Sequence, residues 1–408
     1  MATATGLTAI HDYALIWTSK RLSIYNFKET TVMAAAAAGK IPATIDIAIV
    51  GATGRVGRRL LELIDARRAV LQQRGGLRLR IVAAANSTRW LHVPDHIAAA
   101  RIPDLLAAAS PPPDALALTR SPAHPQILVD CSASAEIAAL YPRWLGAGID
   151  VVTPNKIGSS ADRPLAHAIA AAQSAGGTQL HDNTTVGAQL PLLSTLRDLH
   201  RAGDRIERFE AVLSGTLSYV LGRLQQGTAL STAVSEAVQN GYAEPHPARD
   251  LSGEDAARKL VILLRALGHD VELGDIECVP LVEAALLDSV DAAGLLARLE
   301  SADAGWRARV ALADVRRERW VYRASFENGR ARIAPERLAQ THAFARLAPC
   351  ENALILHSDF YRAAPLTIAG PGAGIDLTAA GVFTDLVAAA QRSIPIRGES
   401  VQPVGVAA

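Results

Sequence analysis

The stretch "IDIAIVGATGRVGRRLLELI", residues 45–64, decides the fold. It passes from an apolar, β-branched segment through a glycine turn into an amphipathic helical pattern, the order that opens a dinucleotide-binding βαβ unit. Gly51 permits the tight bend, Gly54 lets backbone approach a pyrophosphate, and Gly57 lets the helix pack closely on the strand. Ala52, Thr53, Arg55 and Val56 complete a loop whose free N–H groups and helix N-terminus face phosphate. The spacing is G-x-x-G-x-x-G rather than G-x-G-x-x-G, so a merely structural strand-to-helix turn is the competing reading.

Outward from this turn the alternation continues, with strand patterns at 77–87, 125–134 and 147–156 and helical runs between them. Such alternation implies an α/β fold with a doubly wound parallel sheet, Rossmann-type, whose ligand lies at the C-terminal ends of the strands. Asp130, Cys131, Asn155 and Lys156 fall at such ends. Where an NAD-specific domain places a carboxylate on the ribose hydroxyls, this chain has Asn86, Ser87 and Arg89. Nothing there repels a 2'-phosphate, so NADP is the preferred cofactor and NAD remains possible. Cys131 reads as a small apolar residue rather than an acyl-transferring thiol, which would sit in the other domain facing the nicotinamide.

A chain of 408 residues accommodates two domains, and a net charge of +1 gives no global field for nucleic acid or anionic membrane. A small-molecule partner is expected instead. The three cysteines, Cys131, Cys278 and Cys350, lack metal-ligand spacing and suit a reducing, cytoplasmic compartment. No apolar run approaches the roughly 18 residues of a membrane span. Residues 1–40 carry no repeating apolar face and read as a disordered extension, or as sequence upstream of a start at Met33.

The segment "GYAEPHPARDLSGEDAARK", 241–259, concentrates charge between a glycine turn and a helical run. One reading is purely structural: Ser252 caps the helix with Asp255 reaching back, and Asp255 and Lys259 form an exposed i,i+4 pair. The other is catalytic. A carbonyl reductase needs a cation or acid at the carbonyl oxygen and carboxylates for any substrate ammonium, and Lys156, Lys259, Glu244 and Asp250 offer these.

Five motifs in register, "VVTPNK" (151–156), "VGAQLP" (186–191), "LSGTLSYV" (213–220), "GYAEP…DLSGEDAARKL" (241–260) and "GPGAG…TAAGVFTDL" (370–386), resemble homoserine dehydrogenase. The resemblance covers about 42–390 and is strongest to the dehydrogenase half of the bifunctional aspartate kinase-homoserine dehydrogenases. It implies NAD(P)H-dependent reduction of L-aspartate 4-semialdehyde to L-homoserine and the reverse. It also implies a nucleotide domain over 41–180 completed by 370–395, and a second, α+β domain over 181–369 for substrate and homodimer formation. By this resemblance Asp255, Lys259 and Lys156 are catalytic, Glu244, Asp250 and Thr216 bind substrate, and Lys156 and Gly372 adjoin the cofactor.

A monovalent cation, sodium or potassium, is implied at Asn183, Val186 and Ala188. There the family commonly has a carboxylate where Asn183 stands, and Gln189 replaces a glycine. The expectation is a weakened ion site, with activity little dependent on sodium or potassium and Asn183→Glu restoring the dependence. The family's "EPDPRDD" is here "EPHPARD", with His246, Ala248 and Arg249 changed and Asp250 kept. A reductase for another amino-acid aldehyde and a silent dinucleotide sensor are the alternatives.

Overall fold

The computed structural model describes residues 42–111, 123–288 and 291–394, with the backbone of two strands nearer the N-terminus. Those strands, β1 (Tyr13–Thr18) and β2 (Arg21–Asn26), form an antiparallel hairpin pairing Tyr13 with Asn26. The rest of the first forty residues, and with it the expected disordered extension, lies outside the described residues.

The first sheet comprises β3 (Ala43–Val50), β4 (Leu77–Ala85), β5 (Trp90–His92), β6 (Gln126–Asp130), β7 (Asp150–Val152) and β8 (Leu180–His181). Its spatial order is β5-β4-β3-β6-β7-β8, all parallel except the edge strand β5. Central β3 is apolar from Ile47 to Val50 because both its faces are covered there, and its one charge, Asp46, is paired with Arg80. Ile45, Ile47 and Ile49 enter one core, and Ala48 and Val50 enter another on the opposite face. The chain leaves β3 toward β4 and returns to β6 on the other side. Gly51 and Cys131 therefore flank the switch in strand order where open α/β sheets bind ligands.

Helix Arg55–Gly75 buries Leu60, Leu61 and Ile64 against this sheet. Helix Ile375–Arg392 adds Val382, Leu386, Ala389 and Ala390 to the same core, so this helix returns to the first sheet. It encloses the whole "TAAGVFTDL" motif. Arg59 Nε meets Asp376 Oδ1 at 2.7 Å, joining the two helices.

The second sheet, β9 (Ile206–Val212), β10 (Glu277–Cys278), β11 (Glu318–Glu327), β12 (Arg330–Ala339), β13 (Glu351–Ser358) and β14 (Leu366–Pro371), is mixed. Its order is β10-β12-β11-β9-β13-β14, with only the β10–β12 pair parallel. The β11–β12 hairpin turns at Asn328 and Gly329, whose φ values of 52° and 75° are the pair of left-handed conformations a type I′ turn requires. Strand alternation sends Phe209, Ala211, Phe326 and Leu354 onto helices Gly215–Gln225 and Glu254–Ala266. Val212, Val321, Ala353 and Ile355 gather with Phe344 in a separate cluster. The two units are clamped by Arg265, which donates to the carbonyls of Ser159 (3.1 Å) and Ala161 (2.7 Å). Among the described residues no helix is long and apolar enough to cross a membrane.

Candidate active site

Lys156 opens a short helix, Lys156–Ser159, just beyond β7, and Asp255 and Lys259 lie one turn apart on helix Glu254–Ala266 of the second unit. The structure brings all three together. Asp255 Oδ1 takes Lys156 Nζ at 2.5 Å, and its Oδ2 takes Lys259 Nζ at 2.8 Å. Lys259 also donates to the Leu213 carbonyl at 2.8 Å. Burial pulls the Asp255 carboxyl up, but the ammonium charges of Lys259 and Lys156 outweigh it and hold the group well below the usual carboxylate range. Burial, and then the charge of Lys259, lower the Lys156 ammonium below an ordinary lysine, against the pull of Asp255. Beyond residue 40 these are the only lysines in the chain, every other permanent cation there being arginine. A lysine can release a proton at accessible pH and an arginine cannot.

The helix-capping alternative is not what forms. Helix Glu254–Ala266 starts from Gly253 with no side-chain cap at that residue, and Ser252 Oγ donates to the Arg249 carbonyl at 2.8 Å and accepts from the Glu254 N–H at 3.2 Å, with no return bond from Asp255. Gly253 has φ 80°, and a Cβ there would lie 1.9 Å from Tyr322 Oη, so the turn into the helix requires glycine. On the other side a buried polar network fixes the loop that carries Lys156. Tyr141 Oη donates to Asp130 Oδ2 at 2.6 Å, Asn155 Nδ2 reaches the same oxygen at 3.2 Å, and Thr153 Oγ1 donates to the Asp130 carbonyl at 2.9 Å. Asn155 Oδ1 then accepts from the Ile157 N–H, capping the helix that begins with Lys156.

Beside this bridge lies a second polar group. Thr216 Oγ1 donates to the Tyr242 carbonyl at 2.5 Å and lies 3.2 Å from Asp250 Oδ1, while the Glu244 N–H donates to Asp250 Oδ2 at 3.0 Å. Burial raises the Asp250 carboxyl, against those hydrogen bonds, and Asp255 pushes it the same way as burial. Glu244 is exposed, and no described residue forms an ion pair or hydrogen bond with its carboxylate. Of the altered residues, Arg249 pairs with Glu254 at 3.0 Å.

The glycine turn sits at the end of β3 and is sterically tight. A Cβ at Gly57 would meet the Gly51 carbonyl oxygen at 2.2 Å, and one at Gly51, φ 74°, would meet Cys131 backbone at 2.8 Å. Helix Arg55–Gly75 has no side-chain cap at Gly54, which leaves its first N–H groups available to an anion. These features fit a dinucleotide pyrophosphate. Asn86 accepts from the N–H groups of Thr88 (2.9 Å) and Arg89 (2.8 Å), shaping the loop after β4. Arg89 Nη1 is held by the Ala109 carbonyl at 3.0 Å, and Ser87 is exposed. Burial pushes the Cys131 thiol far above its ordinary value, consistent with a packing role.

The homoserine dehydrogenase family profile matches residues 191–387, and the profile of the homoserine dehydrogenase NAD-binding domain matches 53–182. Homoserine dehydrogenase of Schizosaccharomyces pombe is 34% identical over 365 residues, covering 84% of this chain and 94% of that protein. The chain belongs to the homoserine dehydrogenase family. Members of this family are NAD(P)-dependent oxidoreductases. Bifunctional aspartokinase/homoserine dehydrogenase 2 of Zea mays is 35% identical over 84% of this chain, and the chain spans only 38% of that relative's length. A crystal structure of a Candida auris protein of unknown function is similar at a TM-score of 0.78 and 29% identity, covering 86% of this chain and 99% of that one.

The family's cation loop forms a group of its own. Asn183 donates through Nδ2 to Asp385 Oδ1 at 2.8 Å, and Val186 and Ala188 are buried. No cluster of three or more histidine, cysteine or carboxylate ligands suited to a metal occurs among the described residues. Sequence reasoning missed two further residues of this homoserine dehydrogenase framework. Arg197, on helix Leu192–Arg201, binds Asp182 and Asn183. Asn352, fully buried on β13, lies against Gly372, where a Cβ would come within 1.8 Å of its Oδ1, and its amide makes no hydrogen bond among the described residues. The one signal for Asn352 was a lone amide inside the apolar run "NALIL".

Asp255→Asn would leave two ammonium groups facing each other. Their folded-state pKa values would then fall below those of the unfolded chain, so unfolding takes up protons and the variant regains stability as pH rises. Urea denaturation should show a loss of about 1–3 kcal/mol near pH 6, discounted for the partial exposure of the carboxylate, and a smaller loss near pH 10. Equal losses at the two pH values would mean that Asp255 does not carry the lysine charges.

Proposed function

We propose that the chain catalyses the NAD(P)H-dependent reduction of L-aspartate 4-semialdehyde to L-homoserine, and its reverse, in the route to threonine, methionine and isoleucine. The observation that carries this reading is the shared carboxylate of Asp255 between Lys156 and Lys259. A bound nicotinamide cofactor supplies the hydride in the reducing direction and takes it up in the other. The protein supplies charge. Lys259, the more buried of the two lysines, places an ammonium where the substrate oxygen gains negative charge and can give it a proton. Asp255 keeps that ammonium charged and aimed, and Lys156 completes the positive edge on the nucleotide side. Glu244, whose carboxylate is unengaged among the described residues, holds the substrate ammonium, with Asp250 and Thr216 shaping the pocket around it.

The preference for NADP over NAD rests on the loop after β4, where Asn86, Ser87 and Arg89 offer no carboxylate to a 2'-phosphate. The domain division at about residues 180 and 370 follows the two sheets, and the homodimer reading rests on the family resemblance, which implies an interface on the second sheet. The cytoplasmic reading rests on three cysteines that all stand free.

Lys259→Ala is expected to lower kcat for homoserine oxidation by about 10²-fold or more while NADPH binding, read by fluorescence titration, stays intact. Near-normal turnover would return Lys259 to a structural helix pair. Glu244→Gln should act mainly on KM for homoserine, because the charge holds the ammonium throughout the reaction. An unchanged KM would remove Glu244 from the substrate site. Steady-state comparison of the two cofactors should give the higher kcat/KM with NADP+, and the reverse order would mean that Ser87 and Arg89 do not receive a 2'-phosphate.

A further inference from the structure

The segment from Asp182 to Ala188 carries the chain from the first sheet into the second unit, and its one acid, Asp182, is paired with an arginine of the protein. Asp182 is buried; its Oδ2 accepts from Ser159 Oγ at 2.5 Å and its Oδ1 from Arg197 Nη2 at 2.6 Å. The other prong of the same guanidinium, Nη1, donates to Asn183 Oδ1 at 3.1 Å. Asn183 then donates through Nδ2 to Asp385 Oδ1 at 2.8 Å, and Thr184 Oγ1 reaches Asp385 Oδ2 at 3.3 Å. The Asn183 amide is thus fixed at both ends, its oxygen toward a cation and its nitrogen toward a carboxylate. The charge of Asp182 raises the Arg197 guanidinium further above its already high value.

We infer that Arg197 is the built-in counter-ion of this loop, standing in for the exchangeable sodium or potassium ion that the family resemblance implies. The side chain offered to a cation does not fit one. Asn183 brings no negative charge and its amide oxygen is already engaged by a guanidinium, so the carbonyls of Val186 and Ala188 are left with no charged donor beside them. A metal bound to the amide oxygen at about 2.3–2.6 Å would lie within roughly 6 Å of Arg197 Nη1, two positive centres competing for one acceptor. Arg197 is a positioning residue. It ties the loop to helix Leu192–Arg201 and, through Asn183, to helix Ile375–Arg392. The backbone it steadies is demanding, with Gly187 at φ 79° and Ala188 at φ 52° in succession. The Ala188 carbonyl lies so close to Gly381 that a Cβ there would come within 3.1 Å of it.

A carboxylate at position 183 would pair with Arg197 rather than recruit an ion, so restoring it alone does not restore cation dependence. The inference rests on the family reading only for where the ion would sit. Its test reads thermal stability, so it fails or stands apart from the proposed reaction. Melting temperatures would be measured in NaCl, KCl and tetramethylammonium chloride at constant ionic strength for the unmodified chain, Asn183→Asp, Arg197→Gln and the double variant. The unmodified chain and Asn183→Asp should melt at the same temperature in all three salts. Arg197→Gln should melt lower by roughly 3–6 °C, the scale of a lost charged contact in a protein of this size. The double variant should regain several degrees in NaCl or KCl over tetramethylammonium. A saturable rise in the unmodified chain with sodium or potassium would overturn the inference without any variant, as would a double variant that folds and is indifferent to the three salts.

Discussion

Asp255 is one carboxylate held between two ammonium groups that arrive from separately built parts of the chain. Lys156 comes from the end of β7 and Lys259 from a helix beneath the second sheet, so the contact exists only when both units are folded and joined. Without the carboxylate the two cations would repel in a half-buried place; with it they form a fixed positive edge. Much of the surrounding structure serves this arrangement. The Asp130–Tyr141–Asn155 network sets the direction of one lysine, the glycine turn at 253 sets the start of the other's helix, and Arg265 fixes the distance between the units. Such an edge is organised before any substrate arrives, which is how fixed charges act most strongly on a developing oxyanion.

The framework accepts strain and unpaired polarity around this centre. Gly51, Gly57, Gly253 and Gly372 each stand where a single methyl group would collide with backbone or a buried side chain. Asn352 is buried against the last of these with its amide unmatched among the described residues. Buried amides of this sort are costly, and they concentrate where a structure must hold one backbone path over others.

The fold was largely legible because its strongest signals are local. Central β3 shows as an apolar run from Ile47 to Val50 since two cores claim its alternate residues, and Asn328-Gly329 declares a hairpin because few other pairs tolerate two left-handed conformations. The charged corner was legible only in part. Its composition admitted a helix cap, and the arrival of Lys156 from about a hundred residues away is a tertiary contact that no local pattern carries. Arg197 could not be read at all. With 41 lysines and arginines against 40 acidic residues, the sequence permits almost any pairing, and which arginine meets which carboxylate is decided by tertiary packing. Gly381 has the composition of a helix breaker yet is the residue that lets helix Ile375–Arg392 pass the Ala188 carbonyl.

The near-absence of lysine beyond residue 40 gives the molecule an unusual covalent surface. Arginine supplies its ordinary surface charge, and primary amines in the described fold occur only at Lys156 and Lys259. An acylating reagent, a reactive aldehyde or a lysine-specific protease therefore finds its targets in that region at the Asp255 bridge alone. Within the described fold, amine modification, which on most proteins scatters over the surface, is confined to a single address, and its rate there becomes a direct gauge of how tightly that bridge is closed.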